Sequence, residues 1–188
     1  AFAEYKASES SALSGLHSVV GKMDNPFYKP GGSDLIWDND ITPEGLFASY
    51  TRSIGEKFEI KGLLGGFWIQ ERSSDADSGM LAFELIGTFK PTENLSFGLG
   101  LSYFNFGNAQ DNAPFFDATK GFGNTTNAAG TAIAYDADFD LLKIGIEAGY
   151  KFEFAPINFF VDFVNNSGAE TDLDTGFLVG LSVGKISG

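Results

Sequence analysis

The chain has 188 residues, 24 Gly and 20 Phe among them, no Cys, one His and a formal net charge of -13. The lack of cysteine excludes a disulfide framework and thiolate metal sites, the acidity argues against nucleic acid as a partner, and no apolar run approaches the roughly 18 residues of a membrane-spanning helix. A mean hydropathy of -0.03 still fits a β-barrel, whose lumen-facing residues offset its lipid-facing ones.

Residues 1–6 (AFAEYK) alternate weakly and read as the tail of an earlier strand; with no basic and apolar leader ahead of them, any signal peptide is expected to be gone already. A weak strand is predicted over 13–22, and its His17 reads as a wall residue, because zinc binding or catalysis needs convergent partners. Residues 23–41 (MDNPFYKPGGSDLIWDNDI) are irregular, since two Pro, a Gly pair and clustered Asp break any ladder. Strands over 42–54 and 58–70 flank a tight turn at Gly55, Glu56 and Lys57. In the second of them Leu63, Phe67 and Ile69 share a face with Glu59 and Lys61, while Ile60, Leu64 and Trp68 lie opposite. Two partly apolar faces predict contact with a folded-in loop or with another subunit.

After a polar loop, a strand over 80–90 turns at 91–94 into one over 95–106, where Leu95, Phe97, Leu99, Leu101 and Tyr103 alternate with Ser96, Gly98, Gly100 and Ser102. A long loop rich in Asn, Gly, Thr and Asp ends at 138 and a strand is predicted over 140–154. Within it Ile144, Ile146, Ala148, Tyr150, Phe152 and Phe154 oppose Lys143, Gly145, Glu147, Gly149, Lys151 and Glu153. Twelve alternating residues are enough to cross a bilayer as a tilted strand of roughly 9 to 11. Strands over 157–165 and 175–186 complete the series.

Connections after Lys6, Ile54, Lys90 and Phe154 are short, whereas those after Lys22, Gln70, Phe104 and Asn165 are long and polar. Sorting loop length by parity is the pattern of outer-membrane barrels. Two aromatic girdles are expected: Trp68, Tyr103, Phe104, Phe106, Tyr135 and Phe139 at the long-loop ends, and Phe58, Phe89, Phe152 and Phe154 at the short-turn ends. The fold read from this is all-β, an antiparallel up-and-down transmembrane β-barrel, with 1–188 as a single barrel segment of about eight visible strands and a further one at the start. The interior of an eight-stranded barrel is filled by side chains. Here the lumen face offers Gly98, Gly100, Gly145, Gly149, Gly180, Gly184, Ser96, Ser102 and Ser182. That predicts a larger, porin-sized barrel, or a loop or plug that fills the space, or glycines that serve only for strand curvature.

No cysteine, nucleophile elbow or phosphate-cradling loop is present, so neither an enzyme nor a cofactor is expected. Charge is the informative feature. The long loops carry Asp24, Asp34, Asp38, Asp40, Glu44, Asp75, Asp77, Asp111, Asp117, Asp136, Asp138, Glu170, Asp172 and Asp174 against Lys29, Arg72 and Lys120, and carboxylates around a mouth concentrate cations. Pro26, Phe27, Pro30, Leu35, Ile36 and Trp37 give the 23–41 loop more apolar anchoring than a free loop needs. Lys29, Asp34, Asp38, Asp40 and Glu44 are therefore the candidates for a pore constriction or mouth, and Lys143, Glu147, Lys151 and Glu153 for the lumen wall. The same loop carboxylates could instead hold Ca²⁺ with backbone carbonyls, although their spacing is not that of an EF-hand, and no metal ligand is assigned.

At GGSDLIWDNDITPEGL (31–46), GGFWIQERSSDADS (65–78) and TDLDTGFLVGLSVGK (171–185), the sequence resembles the putative porin family of Gram-negative outer membranes, as an internal segment of a longer member. The resemblance implies a passive channel for small hydrophilic solutes or ions in the bacterial outer membrane, contacts with its lipid and lipopolysaccharide, and a homotrimer as one assembly. The rival reading is a non-conducting adhesin or structural barrel whose acidic loops bind divalent cations.

Overall fold

The computed structural model describes residues 2–184 except 39, 74–75, 130–131 and 171. Asp75, the ends of the 171–185 motif and the tail of the strand expected to reach 186 lie outside the described residues. The elements are β1 (Phe2–Lys6), β2 (Leu16–Lys22), β3 (Glu44–Ile54), β4 (Phe58–Gln70), β5 (Ser78–Thr92), β6 (Leu95–Phe106), β7 (Thr126–Ala129), β8 (Ala132–Tyr135), β9 (Phe139–Lys151), β10 (Pro156–Asn166) and β11 (Thr175–Val183). Nine strands form one sheet in the order β1-β2-β3-β4-β5-β6-β9-β10-β11, and β7 and β8 form a separate hairpin inside the β6–β9 connection. Every neighbouring pair is antiparallel, so the sheet is an up-and-down meander. It does not close: among the described residues β1 and β11 each pair on one side only.

Alternation fixes the two faces. Phe58, Ile60, Leu64 and Trp68 of β4, Leu81, Phe83 and Leu85 of β5, Phe97, Leu99, Leu101 and Tyr103 of β6, and Phe177, Val179, Leu181 and Val183 of β11 all point to one side and are exposed. A soluble protein does not leave a contiguous apolar sheet face in water. From Phe58 to Trp68 the band runs along one strand of the sheet, and ten steps of ~3.3 Å at a tilt of ~40° give a height of ~25 Å, that of the apolar band of a membrane barrel. The other face is buried over β3–β6, where Phe47, Leu63, Phe67, Met80, Ala82, Phe104 and Phe106 form the core with residues of the long loops.

The connections sort by end. Residues 7–15, 55–57, 93–94 and 152–155 lie at one end, and 23–43, 71–77, 107–138 and 167–174 at the other. The tight β3–β4 turn uses Gly55 at φ 63, a region in which a side chain would be strained. β9 stops at Lys151 rather than continuing to 154, because Lys151 stands opposite Pro156 and closes the hairpin there. Phe152, Glu153 and Phe154 are turn residues.

The turn-end girdle is present: Phe58 stacks on Phe89 at 4.3 Å and Phe89 on Phe97 at 6.3 Å, while Tyr150, Phe152 and Phe154 follow one another at 4.4 and 5.3 Å. The loop-end girdle differs from expectation. Trp68 and Tyr103 do face outward, but Phe104, Phe106 and Tyr135 are buried on the opposite side, with Phe139 packed against them. An outward Tyr103 turns Phe104 and Phe106 inward by the period of two.

Candidate pore constriction

The 23–43 connection folds back over the inner face, and its sequence explains why. Phe27 and Trp37 stack on each other with centroids 5.4 Å apart, Phe27 meets Phe67 and Phe104 edge-on at 5.4 and 4.9 Å, and Trp37 meets Phe104 at 5.4 Å and Phe106 at 5.9 Å. Each such pair contributes about 0.5–1.5 kcal/mol beyond its buried area. Met23 N–H donates to the Pro43 carbonyl at 3.0 Å, drawing the loop's two ends together. This is the folded-in loop that the two-sided pattern of residues 58–70 requires: Phe67, on its inner face, is a floor for Phe27.

The loop tip rests on a floor of glycines. A Cβ built on Gly98 would stand 2.6 Å from Tyr28 Oη, one on Gly100 3.0 Å from Tyr28 Cε1, and one on Gly145 3.0 Å from Pro30 Cγ and 3.3 Å from Tyr28 Cε1. The small residues of this part of the lumen face admit the loop; they do not line open water. A 3₁₀ turn at Pro30–Gly32 forms the tip, with Gly31 and Gly32 at φ 58 and 78, and Gly31 lies against the Phe160 ring.

Polar groups then fix the tip to the wall. Glu84 on β5, Ser102 on β6 and Lys143 on β9 are successive cross-strand neighbours, with Asp162 on β10 beside them. Tyr28 N–H donates to both Glu84 carboxylate oxygens at 3.1 and 3.0 Å, and the Ser102 hydroxyl donates to Glu84 at 2.7 Å. Lys143 Nζ donates to the Tyr28 carbonyl at 2.6 Å, lies 3.5 Å from Asp162 and stands 5.7 Å from the Tyr28 ring centroid. Gly31 N–H donates to Glu147 at 2.8 Å, and the Ser33 hydroxyl bonds to Asp162. Glu84, Lys143 and Asp162 are at most 2% exposed. Buried charges of this kind persist only when paired and hydrogen-bonded, and here the loop backbone supplies part of that pairing. Burial first, then the negative charges of Glu147, Asp162 and Glu84, raise the Tyr28 phenol well above its usual range, so it stays neutral.

The residues expected at the constriction divide. Lys29 and Asp34 pair within the loop at 2.6 Å, and Lys29 also donates to the Trp37 carbonyl at 2.8 Å. Asp38 accepts the Asp40 N–H at 3.2 Å and, with Asp24, Asn25, Lys29, Ile41 and Thr42, lines a cleft of about 240 Å³; Asp40 is exposed. Glu44 is a correction. Gly45 and Phe47 point inward, so Glu44 lies on the outward face between Lys22 and Trp68. Of the wall residues, Lys143 and Glu147 lie under the loop tip, Lys151 is exposed at the end of β9, and Glu153 is a second correction, being an exposed turn residue past the strand. Sequence reasoning missed Tyr28, Ser33, Glu84 and Asp162 as partners of the loop. The available signal was a charge in the middle of a strand on the glycine-rich face, as at Glu84, Lys143 and Asp162.

Many acids of the long loops hold backbone or side-chain donors. Asp138 accepts the Ala109 and Gln110 N–H groups at 3.1 and 2.9 Å, Asp77 that of Arg72 at 2.8 Å, and Asp174 the Asn165 amide at 3.0 Å. Asp117 accepts the Thr119 hydroxyl at 2.7 Å and N–H at 2.9 Å and pairs with Lys120 at 3.2 Å; the hydroxyl, then the N–H and then the ammonium, hold its carboxyl down at about 2. Among the described residues no three His, Cys, Asp or Glu side chains converge as a metal site.

A sequence profile of the family described as "Putative porin" matches residues 1–168, covering the first two resemblance motifs and ending before the third. No curated protein sequence and no solved structure matches the chain.

Proposed function

The chain belongs to this putative porin family, and from that premise we infer that it forms the wall and constriction of a passive, non-enzymatic, water-filled channel for small hydrophilic solutes in the bacterial outer membrane. The observation that carries the reading is the 23–43 loop docked on the inner face of a sheet whose outer face is a continuous apolar band. Lipid takes the outer face, and the loop narrows the passage beside it. Solutes are selected by width and by fixed charge, without turnover. The acids of the 23–43, 107–138 and 167–174 connections outnumber their bases, so the mouth favours cations.

Planar-bilayer recording of the full-length, detergent-purified protein under a potassium chloride gradient tests this. Stable ohmic steps with a reversal potential favouring K⁺ are expected. Replacing Asp34, Asp38 and Asp40 together by Asn should move that potential towards zero. A folded, inserted protein that gives no steps would overturn the reading in favour of a non-conducting adhesin or structural barrel.

A further inference from the structure

We propose that the tip of the inward loop, residues 28–33, is an acid-released gate, a device that rests on the channel reading above. The loop's attachment has two chemically distinct parts. Its root is aromatic, Phe27 and Trp37 set among Phe67, Phe104 and Phe106, and takes no part in proton exchange. Its tip is held by Lys143, which donates to the Tyr28 carbonyl, and by three wall carboxylates, each accepting from a loop donor: Glu84 from Tyr28, Glu147 from Gly31 and Asp162 from Ser33. Phe27 and Trp37 bracket the tip, so 28–33 can swing off the wall while the root stays in place. Gly31 and Gly32 supply the backbone freedom.

The charges that face these groups set the direction. Glu84 meets Lys61 of β4, Ser102 of β6, Lys143 of β9 and the Tyr28 backbone. Glu147 stands opposite Gly98 of β6 and Phe160 of β10, beneath Tyr28 and Gly31. Asp162 meets Lys143 of β9 and Ser33 and Lys29 of the loop, and stands opposite Leu178 of β11. With Asp34, which pairs with Lys29, the cluster holds Glu84, Glu147, Asp162 and Asp34 against Lys29, Lys61 and Lys143. One proton balances the charges and a second leaves the ammonium groups in excess. Each proton also removes charge assistance from a bond that fixes the tip. Lys29 rides on the loop while Lys143 and Lys61 are built into the wall, so the excess charge drives the two apart. Release needs more than one proton, and the transition is therefore steeper than a single titration.

The test is unit conductance of the full-length protein in planar bilayers, in symmetric potassium chloride, taken from about pH 7.5 to about pH 4 across the range in which carboxylates protonate. A reversible rise in unit conductance on acidification is expected, and Glu147→Gln and Asp162→Asn should reach the wide state at higher pH than wild type. The wild-type titration needs no variant, so a substitution that fails to fold does not decide the outcome. Conductance that stays constant or falls on acidification, or variants whose profile coincides with wild type, overturns the gate alone. Absence of steps at every pH overturns the channel reading and the gate with it.

Discussion

Gly100→Ala should loosen the constriction without touching a charge. The new Cβ would stand 3.0 Å from Tyr28 Cε1, with Cδ1 closer still and Cγ at 3.4 Å. Unstrained carbon contacts lie at about 3.5–4.0 Å, so the nearest ring atom, Cδ1, must retreat by more than about 1 Å. It cannot do so freely, because the Tyr28 backbone is bonded to Glu84 and Lys143. Overpacking of this kind costs about 1–3 kcal/mol, which at about 1.4 kcal/mol per decade lowers the docked-to-released ratio of the tip by roughly 5- to 150-fold. Gly98→Ala acts on the same ring, so the two effects will not add. The control is Gly62→Ala on β4, where a Cβ meets nothing within 4 Å. Single-channel recording should show larger or noisier open currents for Gly100→Ala and wild-type currents for Gly62→Ala. Equal behaviour of the two variants would refute the assignment of this glycine floor to loop docking.

Three further outcomes follow from the geometry. Trp68 is 63% exposed on the outward face and Trp37 is 5% exposed under the loop, so brominated lipids should quench Trp68 and spare Trp37; a Trp68→Phe variant that remains strongly quenched contradicts the lipid-facing band. Lys143→Met strands Asp162 and Glu84 without their buried cation and should cost about 3–5 kcal/mol, whereas Lys143→Met with Asp162→Leu should regain much of it, since removing both members of a buried pair is close to neutral. Thermal unfolding, followed by heat-dependent gel migration, decides this, and a double variant weaker than the single one sinks it. For Asp117 the folded pKa of about 2 lies below the usual 3.8, so the contribution of its contacts is complete above that usual value and is lost as pH falls through about 2. Carboxyl-carbon NMR should place its midpoint there, and Thr119→Ala should raise it.

Strand order and loop parity were legible because both depend on alternation and turn chemistry, which are local. Leu95 to Tyr103 and Lys143 to Lys151 announce their faces unaided, and the two Pro, the Gly pair and Trp37 mark the 23–41 segment as a loop with anchors. Phase errors account for three of the misses, Glu44, Phe104 and Phe106. Glu44 read as a loop acid, yet it opens β3 and inherits its direction from Phe47. Phe104 and Phe106 read as girdle residues by composition, although the phase that Leu95 to Tyr103 sets turns both inward. The tie between Glu84, Lys143, Asp162 and the loop backbone was illegible for another reason: it joins residues 28–33 to strands 56–129 positions away along the chain, and no local pattern encodes that pairing.

The carboxylates of Asp77, Asp117 and Asp138 accept hydrogen bonds inside the loops and that of Asp174 accepts one from Asn165 of β10, so in the channel we propose one set of atoms both shapes the entrance and electrifies it. That double duty restricts how ion preference can drift. Asp→Asn keeps an acceptor oxygen while deleting a charge, and can shift preference in single steps at nearly constant loop architecture. Asp→Lys deletes the acceptor as well, so an anion-favouring entrance cannot be reached from this one by charge reversal alone without first rebuilding the turns.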